Sequence, residues 1–150
     1  MSRKGVTIIE LVVVMVIIAI TAALTIPSIG AWLPNYRLRT AARDIVSTMR
    51  TAQMKAVSSN LEYRVSFDSA NASYILEVKT TVGLDTWMPE GAEQKMPKGV
   101  RIDQINGLPE DRAEFNPNST SSGGNIVLRN SKEAERRIVL YSATGRIRVE

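Results

Sequence analysis

Three small sets of residues carry chemistry by type and spacing. Glu10 is the one ionisable side chain in an apolar run from Val6 to Ile29, where a carboxylate is costly unless a cation meets it. Gly5 stands between the basic tip of Arg3 and Lys4 and that run. A cut after Gly5 removes the tip, leaves the hydrophobic helix on the mature chain, and makes Val6 and Glu10 an i, i+4 pair, so the carboxylate can meet its own amine. Arg146 and Arg148 alternate with Ile147 and Val149, so on a strand both guanidinium groups face one way, about 6.6 Å apart. That is near the spacing of successive phosphates on an extended single strand, and guanidinium forks suit phosphate oxygens. Arg129, Arg136 and Arg137 could widen the patch. A sheet edge guarded by charge against aggregation accounts for the same arginines without a ligand.

Other chemistry is not available. The chain has no His and no Cys, which removes the commonest general base, the commonest metal ligand, thiolate nucleophiles and disulfides. No phosphate-cradling glycine loop, metal-ligand cluster or nucleophile–base pair is visible. The expectation is therefore no enzyme, no cofactor and no metal.

The elements that must position these residues follow from periodicity. The apolar run makes a helix of roughly 36 Å, enough to cross a ~30 Å hydrocarbon core. It is too long for a secretory signal, and no Ala-x-Ala-like site closes it before Pro27. Pro27 removes a backbone donor and should kink or loosen the helix; Trp32 and Tyr36 fall where a membrane–water interface would lie. From Leu38 the pattern turns amphipathic, with Leu38, Ala42, Ile45, Met49, Ala52 and Ala56 on one face, the spacing of a helix packed on a core. It should end near Ser58-Ser59-Asn60. Leu61, Tyr63, Val65 and Phe67 then alternate with Glu62, Arg64, Ser66 and Asp68, which predicts a half-buried strand. A turn at 68–71, a return strand through Tyr74, Leu76 and Val78, and a strand from Val100 to Ile105 follow. Residues 116–124 read as a polar loop; Ile126–Leu128, Ile138–Tyr141 and Arg146–Val149 read as strands. One helix against an antiparallel β-sheet is an α+β design.

Charge is segregated along the chain. Residues 30–60 carry +4 (five basic, one acidic) and 116–150 carry +3 (six basic, three acidic), around an acidic middle at 61–115. Such asymmetry favours oriented contacts, although a solvated mixed surface also accounts for it.

The opening KG-VTIIELVVV resembles the leader of type IV pilins and type II secretion pseudopilins. The stretches RLRTAARDIVSTMRTAQMKAVSSN, FNPNSTSSGGNIVL and RRIVLYSATGRIRV extend the resemblance to the minor pilin and pseudopilin family that includes FimT and GspH. The resemblance implies a pilin-like fold and a leader at 1–5 removed by a prepilin peptidase, which cuts after Gly5 and methylates Val6. It implies a transmembrane and assembly helix at 6–29, an amphipathic helix at 30–60 and a β-rich periplasmic domain at 61–150, held by a single pass in the bacterial inner membrane. Glu10 and Pro27 are then assembly residues, Glu10 meeting the amino terminus of a neighbouring pilin or pseudopilin subunit as helices stack. The implied work is priming or capping a pilus or secretion pseudopilus. In DNA-binding members a Gly-Arg-x-Arg tail like Gly145-Arg146-Ile147-Arg148 contacts DNA, so DNA is a possible partner. A single-pass membrane protein that never polymerises is the remaining alternative.

Overall fold

The computed structural model describes residues 7–80 and 86–150, the side chains of 24–29 and 31 excepted. The chain forms two compact units, Met1–Leu33 and Pro34–Glu150. One helix, α1, runs from Ile8 to Ser59, assigned as helix through Pro27, Gly30 and Pro34, and ends where the sequence's Ser-Ser-Asn signal lies. Asn60 has φ 54°, the left-handed conformation that often follows a helix C-terminus. The side chain of Pro27, and all of Gly5 and Val6, lie outside the described residues.

Among the described residues of the second unit, nine strands follow the helix. They are β1 (Tyr63–Asp68), β2 (Ser73–Lys79), β3 (Trp87–Pro89), β4 (Gln94–Lys95), β5 (Val100–Asn106), β6 (Arg112–Phe115), β7 (Gly124–Asn130), β8 (Glu135–Leu140) and β9 (Ile147–Val149). The single sheet expected from the sequence is in fact two. The first has the order β3-β2-β1-β6, with β4 also pairing β2; the second has the order β5-β7-β8-β9. All pairings are antiparallel.

Both sheets share one core with α1. The helix contributes Leu38, Ala42, Ile45, Met49, Ala52 and Ala56, all buried as their spacing predicts, together with Ala41 and Val46. Val65 and Phe115 of the first sheet and Ile126, Leu128 and Ile138 of the second complete it. Asn130, fully buried, ties the layers together: its amide donates to Asn35 Oδ1 at 2.9 Å, and its Oδ1 accepts the backbone N–H groups of Lys132 and Ala134. A buried amide needs all of these partners.

The alternation read for β1 fails at Arg64. That residue was expected on a half-exposed face but is only 7% exposed. Its Nε donates to Glu77 Oε2 at 2.5 Å, on the cross-strand partner position of β2. Its guanidinium lies 4.0 Å from the ring centroid of Trp87. Stacking on an aromatic face and pairing with a carboxylate together let a guanidinium leave water.

Candidate functional site

Two candidate sites were legible in the sequence, and they fall in different units. In the first, Thr7 precedes α1 and its Oγ1 accepts the Glu10 backbone N–H at 3.3 Å. Thr7-Ile8-Ile9-Glu10 is thus the Ser/Thr-x-x-Glu pattern of a capping box, with Glu10 at the third helical position, where a carboxylate also suits the helix dipole. The sequence contained this signal, and the reading of Glu10 as an ion-pairing group passed over it. Among the described residues no cation pairs with the Glu10 carboxylate. The apolar side chains from Ile8 to Ile20 stand exposed on every side of the helix, Ile8 and Ile18 most fully among the isoleucines near Glu10 and mid-run. Among the described residues no helix is long and apolar enough to cross a membrane.

The second site is the arginine set of the second sheet, and the structure divides it. In the β8–β9 register, Val139 pairs with Arg148 and Leu140 with Ile147, while the backbones of Arg137 and Glu150 bond to each other and Tyr141 N–H donates to Arg146 O. Side chains directly opposite share a face, so Arg137, Arg146 and Arg148 lie on the face away from buried Ile138 and Leu140. Arg136 has the opposite parity. It lines a cleft with Arg39, Ala42 and Arg43 of the helix, so it does not join the patch.

Arg129 shares the outer face but is committed. It pairs with Asp103 at 3.1 Å, with Glu133 at 3.2 Å and with Glu135. The hydrogen bond to Glu135 chiefly, then the surrounding carboxylates, raise its pKa further. Asp103 reaches it because the β5 register slips between Ile102 and Gln104, leaving Asp103 as the extra residue of a bulge that re-aims its side chain. No periodicity argument from the sequence could place that bulge. Arg148 makes a long ion pair, 3.7 Å, to Glu150 while remaining 60% exposed; no acid pairs with Arg137 or Arg146 among the described residues.

Gly145, the first residue of the Gly-Arg-x-Arg tail, has φ +59°. A Cβ there would come within 2.8 Å of Ser119 O and closer still to the Gln53 amide of the helix. Gln53 donates to Thr144 O at 3.4 Å. Glycine is required here for close approach and for a left-handed turn, whatever the arginines after it bind.

A model of a prokaryotic N-terminal methylation motif matches residues 1–26, and the model of type II transport protein GspH matches residues 41–145. The chain belongs to the GspH family. Solved structures agree on the fold. The minor pseudopilin EpsH from the Type 2 Secretion System of Vibrio cholerae is 11% identical with a TM-score of 0.64, over 76% of this chain and 96% of that one. The type IV minor pilin FimU of Pseudomonas aeruginosa (strain PAO1) is 14% identical with a TM-score of 0.60, over 77% of this chain and 90% of that one. No curated protein sequence matches closely enough to add to this. A GspH-family chain with this fold is pilin-like: a helix whose second half packs on antiparallel sheets.

Proposed function

We propose that this GspH-family chain is a minor pilin-type subunit, cut after Gly5 by a prepilin peptidase, methylated on Val6, and built into a type IV pilus or type II secretion pseudopilus, where it primes or caps the filament. Before assembly its apolar helix holds it in the bacterial inner membrane by a single pass, with the β-rich domain in the periplasm. The observation that carries this reading is the methylation motif over residues 1–26, joined to a helix whose apolar side chains from Ile8 to Ile20 are exposed all round. Such a surface needs lipid or other helices as its surroundings. Glu10, with no cation beside it among the described residues, then meets the amino terminus of a neighbouring subunit; in an apolar bundle that pair is strong and a subunit lacking it is penalised. Pro27, one backbone donor short, gives the apolar half a point of adjustment during packing.

Two measurements test it. Mass spectrometry of membrane-purified protein should find a mature chain starting at Val6, and Gly5→Leu should block that cut; a terminus at Met1 or beyond Pro27 defeats the reading. Glu10→Ala should leave the chain processed and membrane-inserted yet absent from sheared filaments. Normal incorporation of Glu10→Ala would confine the carboxylate to its own terminus and helix cap.

A second reading, capture of DNA, rests on the shared outer face of Arg137, Arg146 and Arg148. Full-length protein in detergent micelles should bind unrelated DNAs alike, with a log–log salt slope of about −3 for three phosphate contacts. Arg146→Gln with Arg148→Gln should flatten that slope by about two units. Equal binding by wild type and variant, or none at low salt, returns the arginines to guarding a sheet edge.

A further inference from the structure

Arg136 leaves the outer patch, and its destination is informative. It lines a cleft of about 320 Å³ with Arg39 and Arg43 of the helix, floored by Ala42 and Val149. Arg39 and Arg43 are one turn apart, so their side chains are neighbours on the helix surface at about 6 Å. Arg136 approaches from β8. Among the described residues none of the three pairs with an acid. Of the neighbouring carboxylates, Glu135, beside Arg136 in the adjoining cleft, is held by Arg129, Glu150, next to Val149, faces Arg148, and Asp44, next to Arg43 in sequence, lines a different cleft.

Three like charges converging without a counter-charge repel one another, and that repulsion is relieved when an anion enters. Guanidinium groups offer paired N–H donors matched to the oxygens of a phosphate. The two apolar residues of the cleft, buried Ala42 and partly exposed Val149, give the carbon next to a phosphate ester an apolar contact. Tyr36, half exposed, precedes Arg39 by one turn on the same helix, and amphipathic aromatics of this kind favour the headgroup level of a bilayer. We infer that Arg39, Arg43 and Arg136 form a phosphate-binding cleft, its ligand a phosphate anion carried by an acidic phospholipid headgroup or supplied free in solution. This site is separate from the assembly helix and from the outer arginines, and it does not depend on whether the chain enters a filament.

The test uses the full chain in detergent micelles and has two arms. In the first, thermal unfolding is compared in inorganic phosphate and in chloride at matched ionic strength. Phosphate also stabilises proteins generally, so the decisive quantity is the difference between wild type and variant. Wild type should gain more from phosphate than Arg39→Gln/Arg43→Gln or Arg136→Gln, each lost guanidinium weakening phosphate affinity about tenfold. Arg50→Gln, an exposed helix position outside the cleft, should respond as wild type does. Because Arg39 and Arg43 are exposed, their replacement should leave the fold intact, which circular dichroism checks. In the second arm, native mass spectrometry follows lipid retained from micelles doped with phosphatidylglycerol and phosphatidylcholine. Preferential retention of phosphatidylglycerol, displaced by inorganic phosphate and lost in the variants, identifies a headgroup site. A phosphate response without lipid preference identifies a site for the free anion. Equal phosphate responses in wild type and all variants, with no lipid preference, overturn the inference.

Discussion

The two halves of α1 are built from similar apolar side chains and meet opposite fates. Ile17 in the first half is 55% exposed, while Ile45 in the second is fully buried. The difference lies in arrangement. Between Leu38 and Ala56 apolar residues recur every three or four positions and leave Arg39, Arg43 and Arg50 on other faces, so one stripe is covered by strands from both sheets. Between Ile8 and Ala23 they surround the helix, and among the described residues they stand exposed. The packed half belongs to a region that satisfies its own side chains. The first half is left to be satisfied from outside, and that contrast teaches where folding ends and association starts.

The largest effect should come from a paired truncation that sets the two halves against each other. Ile45→Ala removes a buried branched side chain and should cost about 2–5 kcal/mol of unfolding free energy. Ile17→Ala should change it by no more than about 0.5 kcal/mol, as followed by urea unfolding of the full chain in micelles. Equal losses would erase the contrast. Next in size is the buried ion pair. Arg64→Met leaves Glu77 without its cation and should cost about 2–3 kcal/mol, slightly below the range for a fully buried pair because Glu77 keeps 19% exposure. Adding Glu77→Leu should recover most of that loss, since the orphaned charge and not the missing bond is the main cost. A double variant as unstable as the single one would mean that Trp87 packing, not the charge, sets the value.

A smaller effect, about 1–2 kcal/mol, is expected for Gly145→Ala, from the left-handed backbone and the crowding against Ser119. It should show first as faster amide exchange in β9. The smallest concerns the exposed acids around Arg129. The hydrogen bond from Arg101 chiefly, and the charges of Arg101 and Arg129 after it, lower the Glu133 pKa. A carboxyl with a depressed folded pKa stabilises fully above its unfolded value and loses that contribution as pH falls through the folded one. Glu133→Gln should therefore flatten the fall of the unfolding midpoint between about pH 5 and 3 slightly, while leaving it nearly unchanged at neutral pH.

Much of this was legible beforehand, for identifiable reasons. The helix face from Leu38 to Ala56, the strands through Tyr63–Phe67 and Ile126–Leu128, and the leader pattern all rest on local periodicity or spacing, which the sequence displays directly. What escaped depends on distant partners. The β3 and β4 strands are three and two residues long, too short for any period to emerge, and β6 follows a segment with no clear alternation. Arg64 looked like an exposed strand residue because nothing local announces that Trp87, more than twenty positions later, covers it. The five arginines of the last section looked like one patch because adjacency along a chain hides the parity of a strand. Strand alternation alone sends Arg137 and Arg136 to opposite faces, and only the Asp103 bulge commits Arg129.

The tie between Asn130 and Asn35 has a mechanical meaning. It fastens the β7–β8 turn near the start of the packed half of α1, while Gln53 fastens the turn before β9 near the far end. The two fastenings are eighteen helical residues apart by number, about 27 Å at the rise of an α-helix. A pull along the helix axis is therefore resisted in shear, by both fastenings and the core stripe between them yielding together. A pull across the edge of a sheet would instead open hydrogen bonds one after another. Single-molecule stretching from the two attachment directions should give a clearly higher rupture force along the helix. The second unit, held at these two points, bears tension best along the axis of its own helix.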